Sequence, residues 1–237
     1  SSLSRDGKNI GKARDNLCIS YGFDGSSLNV KFHVKSRERI LGCHYYARSN
    51  KEDAFYIVDQ QGRISVFDAR VGIAVTNLET GLKPLVKVRF YRDSLFMMTD
   101  RGVGAVFELS TLTNKGQTRL GTTHPNSVFP FLNSKALSVL DAETVIVDLV
   151  KDTTRPGFPV ILDRFPGRVS CLVGSTECGL VMAGFVDGSV AIADLSSGKA
   201  YFEAQYDTGA VTGLNFNKAA AMGVSVSAKG RLTIFDL

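Results

Sequence analysis

The chain has 237 residues, 44% of them hydrophobic and 22% charged, with 23 glycines, six prolines, four cysteines and no tryptophan. This balance is ordinary for a globular chain with a core of its own, and no stretch approaches the roughly 20 continuous apolar residues of a membrane-spanning helix, so no membrane insertion is expected. The net charge of +5 favours acidic partners without establishing nucleic-acid binding.

Residues 1–16 are polar and basic, with Arg5, Lys8, Lys12 and Arg14. They lack the apolar region of a signal peptide. Their composition predicts a disordered or linker leader, with a nucleic-acid-binding arm as the sharper alternative. From Leu17 onward the chain becomes a succession of short apolar runs. Leu17 to Phe23 turns at Asp24-Gly25 into Ser27 to Val34. Ala54 to Asp59 turns at Gln60-Gln61-Gly62 into Arg63 to Asp68. Ser94 to Asp100 turns at Arg101-Gly102 into Gly104 to Leu109. Later pairs turn at Ala142-Glu143, Asp187-Gly188 and Lys229-Gly230. Asp-Gly and similar pairs supply the positive backbone angles of tight, two-residue hairpins.

The hairpins end at regular intervals. The anchors His33, Asp68, Glu108, Asp148, Asp194 and Asp236 are 35, 40, 40, 46 and 42 residues apart. A third strand precedes each hairpin from the second on, opening at Ile40, Leu85, Val128, Val169 and Val211, with spacings of 45, 43, 41 and 42. A fourth lies between an ending and the next such run, as at Gly72 to Asn77 and Lys199 to Tyr206. A period near 40 built from four antiparallel strands predicts an all-β fold, a β-propeller. About six blades are visible, in a complete ring of six or seven, the first only half present. Residues 17–237 read as one such domain, expected to be an excerpt of a longer chain. Runs that are apolar nearly throughout, such as Thr144 to Leu149, fit strands buried on both faces. A β-sandwich is the competing architecture, but its connections vary in length and these do not.

The endings Val-Phe-Asp-Ala (Val66 to Ala69), Val-Asp-Leu (Val147 to Leu149), Ala-Asp-Leu (Ala193 to Leu195) and Phe-Asp-Leu (Phe235 to Leu237), with the Asp-Gly-Ser turn at Asp187, resemble the WD40 repeat family from about Leu17 onward. The family's Trp before the Asp is replaced by Phe67, Phe107, Val147, Ala193 and Phe235, and its Gly-His dipeptides are missing. The resemblance implies a diverged WD40-like propeller without the family's buried hydrogen-bond network, held instead by apolar packing and strand pairing. It also implies a non-catalytic protein–protein interaction scaffold, a subunit of a larger complex, with no cofactor.

The residues themselves agree that chemistry is absent. His33, His44 and His124 fall in different units and share no position of the repeat, and no cysteine pair has zinc-ligand spacing, so no metal site is expected. The recurring aspartates follow the repeat and read as strand-end turn residues rather than converging carboxylates. Four cysteines without a disulfide pattern, and no glycosylation sequon, point to an intracellular chain, cytoplasmic or nuclear. Candidate contacts for a partner or an anion are Lys83, Lys87, Arg89, Arg92 and Arg101, clustered in one unit, with Arg155 and Phe158 in the Pro-interrupted stretch Val150 to Pro159. Other proteins are the expected partners, with no small-molecule substrate. An RNA-associated subunit using a basic face is the alternative. A membrane-trafficking propeller acting on SNARE helices is the second, because the stretch from Gly167 to Val190 is similar to blades of the tomosyn and lethal-giant-larvae proteins.

Overall fold

The strand Ala54–Asp59 is apolar at every position but the last because it serves two cores at once. Successive side chains of a strand point to opposite faces. Ala54, Tyr56 and Val58 enter a cluster with Ile64, Val66, Leu95 and Met97, whereas Phe55 and Ile57 enter another with Cys18, Cys43, Tyr45 and Phe67. A stack of short sheets produces this pattern, since every inner strand then has a neighbour on each side.

The computed structural model describes residues 2–4, 7–47, 53–91, 93–125, 128–131, 135–140, 143–156, 169–175, 179–194, 200–205, 207–217 and 222–236. The first sheet holds β1 (Ser2–Leu3), β2 (Asn9–Arg14), β3 (Leu17–Phe23) and β4 (Leu28–Lys35). The second holds β5 (Ile40–Tyr46), β6 (Ala54–Asp59), β7 (Arg63–Asp68) and β8 (Ala74–Glu79). The third holds β9 (Leu85–Tyr91), β10 (Ser94–Thr99), β11 (Val103–Glu108) and β12 (Asn114–Arg119). The fourth holds β13 (Val128–Phe131), β14 (Lys135–Leu140), β15 (Glu143–Asp148) and β16 (Thr153–Pro156). The fifth holds β17 (Val169–Ser175), β18 (Leu180–Phe185), β19 (Ser189–Asp194) and β20 (Ala200–Gln205). The sixth holds three described strands, β21 (Val211–Asn217), β22 (Met222–Ser227) and β23 (Leu232–Asp236). All are antiparallel meanders in chain order. The chain divides into two compact units, Ser1–Lys115 and Gly116–Leu237.

Two expectations are corrected. Asn9–Arg14, read from sequence as part of a leader, form β2 and pair along their whole length with β3, from Asn9 opposite Gly22 to Arg14 opposite Leu17. Polar residues hide this strand in the sequence. Lys12 and Arg14 are exposed, while Gly11 lies so close to the Phe55 ring that a Cβ there would sit 2.6 Å from it. The first sheet is therefore a full set of four, and the sheet with three described strands is the last.

The strand after each ending also belongs to the sheet it leaves, not the next one: β8 pairs with β7 from Arg63 opposite Glu79 to Phe67 opposite Ala74. This shifts the phase of the first unit. The residue equivalent to Asp68 is Asp24, at the end of β3, and not His33, which lies inside β4 opposite Ile19. Asp24 N donates to Ser27 O across the turn as Asp68 N donates to Ile73 O and Glu108 N to Thr113 O. With Asp24 as anchor the first interval becomes 44 residues, in line with the others.

Asp24, Asp68 and Asp148 are turn caps. The Asp24 carboxylate accepts the Ser26 and Ser27 amides at 3.0 and 2.9 Å. That of Asp68 accepts the Arg70 and Val71 amides at 2.8 and 3.2 Å, and that of Asp148 the Val150 and Lys151 amides, both at 3.1 Å. A short carboxylate satisfies peptide donors two and three residues on, which is why Asp recurs there. Glu108 is one methylene longer and accepts instead from the Thr111 hydroxyl and Lys115.

The opposite ends of the strands carry a different turn. Gly62 N donates to Asp59 O, Gly102 N to Thr99 O, Gly188 N to Phe185 O and Gly230 N to Ser227 O. The four glycines have φ of +76°, +72°, +88° and +81°. The loop before β7 has the three residues read for it, whereas those before β11 and β19 are three residues long rather than two, and all three loops end in a left-handed glycine.

Side-chain hydroxyls add to the apolar packing between sheets. The buried Tyr56 hydroxyl donates to Leu109 O at 2.6 Å, and Ser20 Oγ and Tyr45 Oη share a hydrogen bond of 2.5 Å. In the second unit, Met182, Phe185, Val190, Ile192, Val211 and Phe235 form the cluster joining the fifth and sixth sheets.

Candidate interaction surface

The glycine-turn end of the first unit is stitched together by peptide groups. Ile40 N donates to Asp15 O at 2.6 Å, linking the second sheet to the first. Gln60 N donates to Arg39 O at 2.8 Å within the second sheet. Leu85 N donates to Gln60 O at 2.8 Å, linking the third sheet to the second. Asp100 N donates to Pro84 O at 3.1 Å within the third. These four bonds run across three sheets and fix the residues beside them: Arg39, Lys83 next to Pro84, and Arg101 next to Asp100. All three side chains are exposed, as are Lys35 and Arg37. Among the described residues no carboxylate forms an ion pair with any of these five.

The nearby acids are mostly engaged. Arg63 holds Glu79 at 2.5 Å, and Arg14 holds Asp15 at 3.8 Å. Asp59 is buried and accepts the Gln61 and Arg63 amides. Glu38 and Asp100 are exposed between the cations. The other end of the same sheets carries the capping carboxylates Asp24, Asp68 and Glu108. Hydrogen bonds from Ser26 and Ser27 hold the Asp24 carboxyl well below the usual carboxylate range.

The residues singled out from sequence divide accordingly. Lys83 and Arg101 meet at this end. Lys87 and Arg89 lie on β9, half-buried and already engaged, and burial lowers the Arg89 pKa below the ordinary guanidinium value. Arg155 is on β16 in the other unit, its side chain outside the described residues, as are Arg92 and Phe158 altogether. The sequence reading missed Lys35, Arg37 and Arg39. Their signal was present twice: a dense Lys-Ser-Arg-Glu-Arg run, and the position of Arg39 just ahead of β5, as Lys83 stands just ahead of β9.

Among the described residues no other constellation competes. Among the described residues no three His, Cys, Asp or Glu side chains gather where an ion could be held. Cys18, Cys43 and Cys171 are buried and unbridged. Cys18 and Cys43 share a hydrogen bond in the core, which with burial holds the Cys18 thiol far above the ordinary thiol range. An open cleft of about 410 Å³ beside Lys8, Phe23, Asp24 and Lys31 has polar groups bonded to one another: Asp24 to Ser26, Ser27 and Asn29, Lys31 to Asn9 and Ala69 O. His33 and His124 are exposed.

Burial also disturbs the titration of His44. It stacks on Phe90 at 4.8 Å, its Nδ1 lies 3.2 Å from Ser2 Oγ, and loss of solvent lowers its pKa. The unfolded chain therefore binds the proton more readily. Stability is expected to be full above the unfolded value of about 6.5 and to decline as pH falls through it toward the lower folded value. Urea midpoints measured across this window should fall for the wild type and show a smaller fall for His44→Phe.

No family model matches the sequence, and neither does any curated protein. Solved structures do. Hsv2 of Kluyveromyces marxianus superposes with a TM-score of 0.70 at 13% identity, covering 99% of this chain and 74% of its own. Sqt1 of Saccharomyces cerevisiae gives 0.69 at 11%, covering 99% and 69%. Hsv2p of Kluyveromyces lactis gives 0.68 at 11%, covering 99% and 72%. The likeness establishes the fold: an all-β, WD40-like β-propeller whose blades are the sheets described above. Among the described residues no helix is long and apolar enough to cross a membrane.

Proposed function

We propose that the chain is a non-catalytic interaction scaffold, acting as one subunit of a larger assembly. The observation that carries this reading is the glycine-turn end of the first unit, where exposed cations that form no ion pair among the described residues stand on backbone fixed by a chain of peptide hydrogen bonds. A surface whose backbone is already ordered loses little conformational entropy when a partner binds. Strands buried on both faces, such as β6, supply the same stiffness beneath it. The fold supports the reading by analogy, since propellers present loops on a rigid frame.

The test is cross-linking followed by size fractionation of the full chain from cell extract. It is expected to migrate with defined protein partners in a species larger than the monomer. Migration as a monomer without cross-linked protein would overturn the scaffold reading.

A further inference from the structure

We infer that the cation row of the first unit docks an extended acidic segment of a partner protein, an inference that rests on the scaffold reading. Three features of the row select the occupant. The first is its direction: Arg39 belongs to the second sheet and Lys83 and Arg101 to the third, joined by the bonds from Gln60 to Arg39, Leu85 to Gln60 and Asp100 to Pro84. The row therefore crosses the sheets instead of following one strand. Packed sheets lie on the order of 10 Å apart, which an extended peptide spans in about three residues. In the polyproline-type extended form, with three residues per turn, every third side chain returns to the same side, so acids at that spacing meet Arg39 on one sheet and then Lys83 and Arg101 on the next.

The second feature is the interleaving of sign. Glu38 and Asp100 stand exposed among the cations. A phosphodiester backbone carries a charge at every nucleotide and would bring phosphates against both carboxylates. A peptide places neutral residues there. The third is composition. The segments forming this end, residues 14–17, 35–41, 59–64, 79–86 and 99–104, contain no aromatic side chain. Proteins that track single-stranded nucleic acid stack its bases on aromatic rings, and this surface offers none.

The experiment uses the full chain and a fluorescent peptide carrying Glu at every third residue with Gly and Ser between, followed by anisotropy. A poly(U) oligonucleotide of equal length serves as the competing polyanion. The peptide is expected to bind, and to bind less tightly as salt rises, because exposed charges are screened. Arg39→Gln/Lys83→Gln/Arg101→Gln is expected to weaken binding about tenfold. The same three changes to Glu abolish it, and Lys12→Glu/Lys151→Glu, elsewhere on the surface, leaves it unchanged. Equal peptide binding by the wild type and the triple Gln variant overturns the inference. So does tighter binding of the oligonucleotide than of the peptide. A chain that fractionates with protein partners yet ignores the peptide removes this inference alone. A chain that is monomeric in extract removes the scaffold reading, whatever the peptide does.

Discussion

Phe55→Ala is expected to lower the unfolding free energy by about 3–5 kcal/mol, the range for deleting a fully buried aromatic ring. The ring is fully buried, and it joins two sheets. It meets Phe32 of β4 edge-on at 5.6 Å and Tyr45 of β5 at 4.6 Å. It also lies over Gly11 of β2, where a Cβ would come within 2.6 Å of it. Truncation opens a cavity at the seam between the first and second sheets, and rigid strands cannot close it. Phe55→Leu should recover much of the loss. Equilibrium urea denaturation reads both variants, and a loss below about 1 kcal/mol for the alanine variant would mean the two sheets do not share this core.

Gly62→Ala is the second large effect. Gly62 has φ of +76°, and an added Cβ would lie 2.1 Å from Leu82 O. The left-handed angle alone costs a non-glycine residue about 1–3 kcal/mol. The collision adds to it, because the opposing atom is a backbone carbonyl and no side-chain rotation relieves it. Gly230 isolates the two contributions: it occupies the same turn position with φ of +81° and nothing within 4 Å of a Cβ. Gly230→Ala should therefore be the milder substitution, and thermal melts of the two variants side by side give the comparison. Equal losses would show that the angle alone matters at Gly62.

Why the sequence revealed some of this and concealed the rest follows from the same geometry. The hairpins were legible because a left-handed glycine recurs at one turn and a capping aspartate at the other, and both demands fall on single residue types. The first unit was read out of phase for a physical reason. Its Asp24 turn is closed by a bond to Ser27 rather than to a residue five positions on, as at Asp68, so the turn resembles an ordinary Asp-Gly hairpin. β2 escaped notice because one of its inward positions is a glycine, chosen to admit the Phe55 ring rather than to fill space itself. The cation row was only half legible. Lys83 and Arg101 stand in one local cluster, but Arg39 joins them through carbonyl-to-amide bonds between sheets, and nothing in a residue's identity announces such a bond. Conversely, Lys87 and Arg89 alternate with apolar residues like an exposed stripe, yet β9 leaves them half-buried and engaged.

The bonds that cross from Asp15 to Ile40 and from Gln60 to Leu85 are made by peptide groups alone. Every residue except proline carries the donor such a bond needs, and every residue carries the acceptor. This adhesion between neighbouring blades is therefore nearly indifferent to substitution, whereas a network of specific side chains fails when one member changes. A propeller sewn in this way can drift in sequence without coming apart. That is a physical route by which chains only 11–13% identical can share one fold.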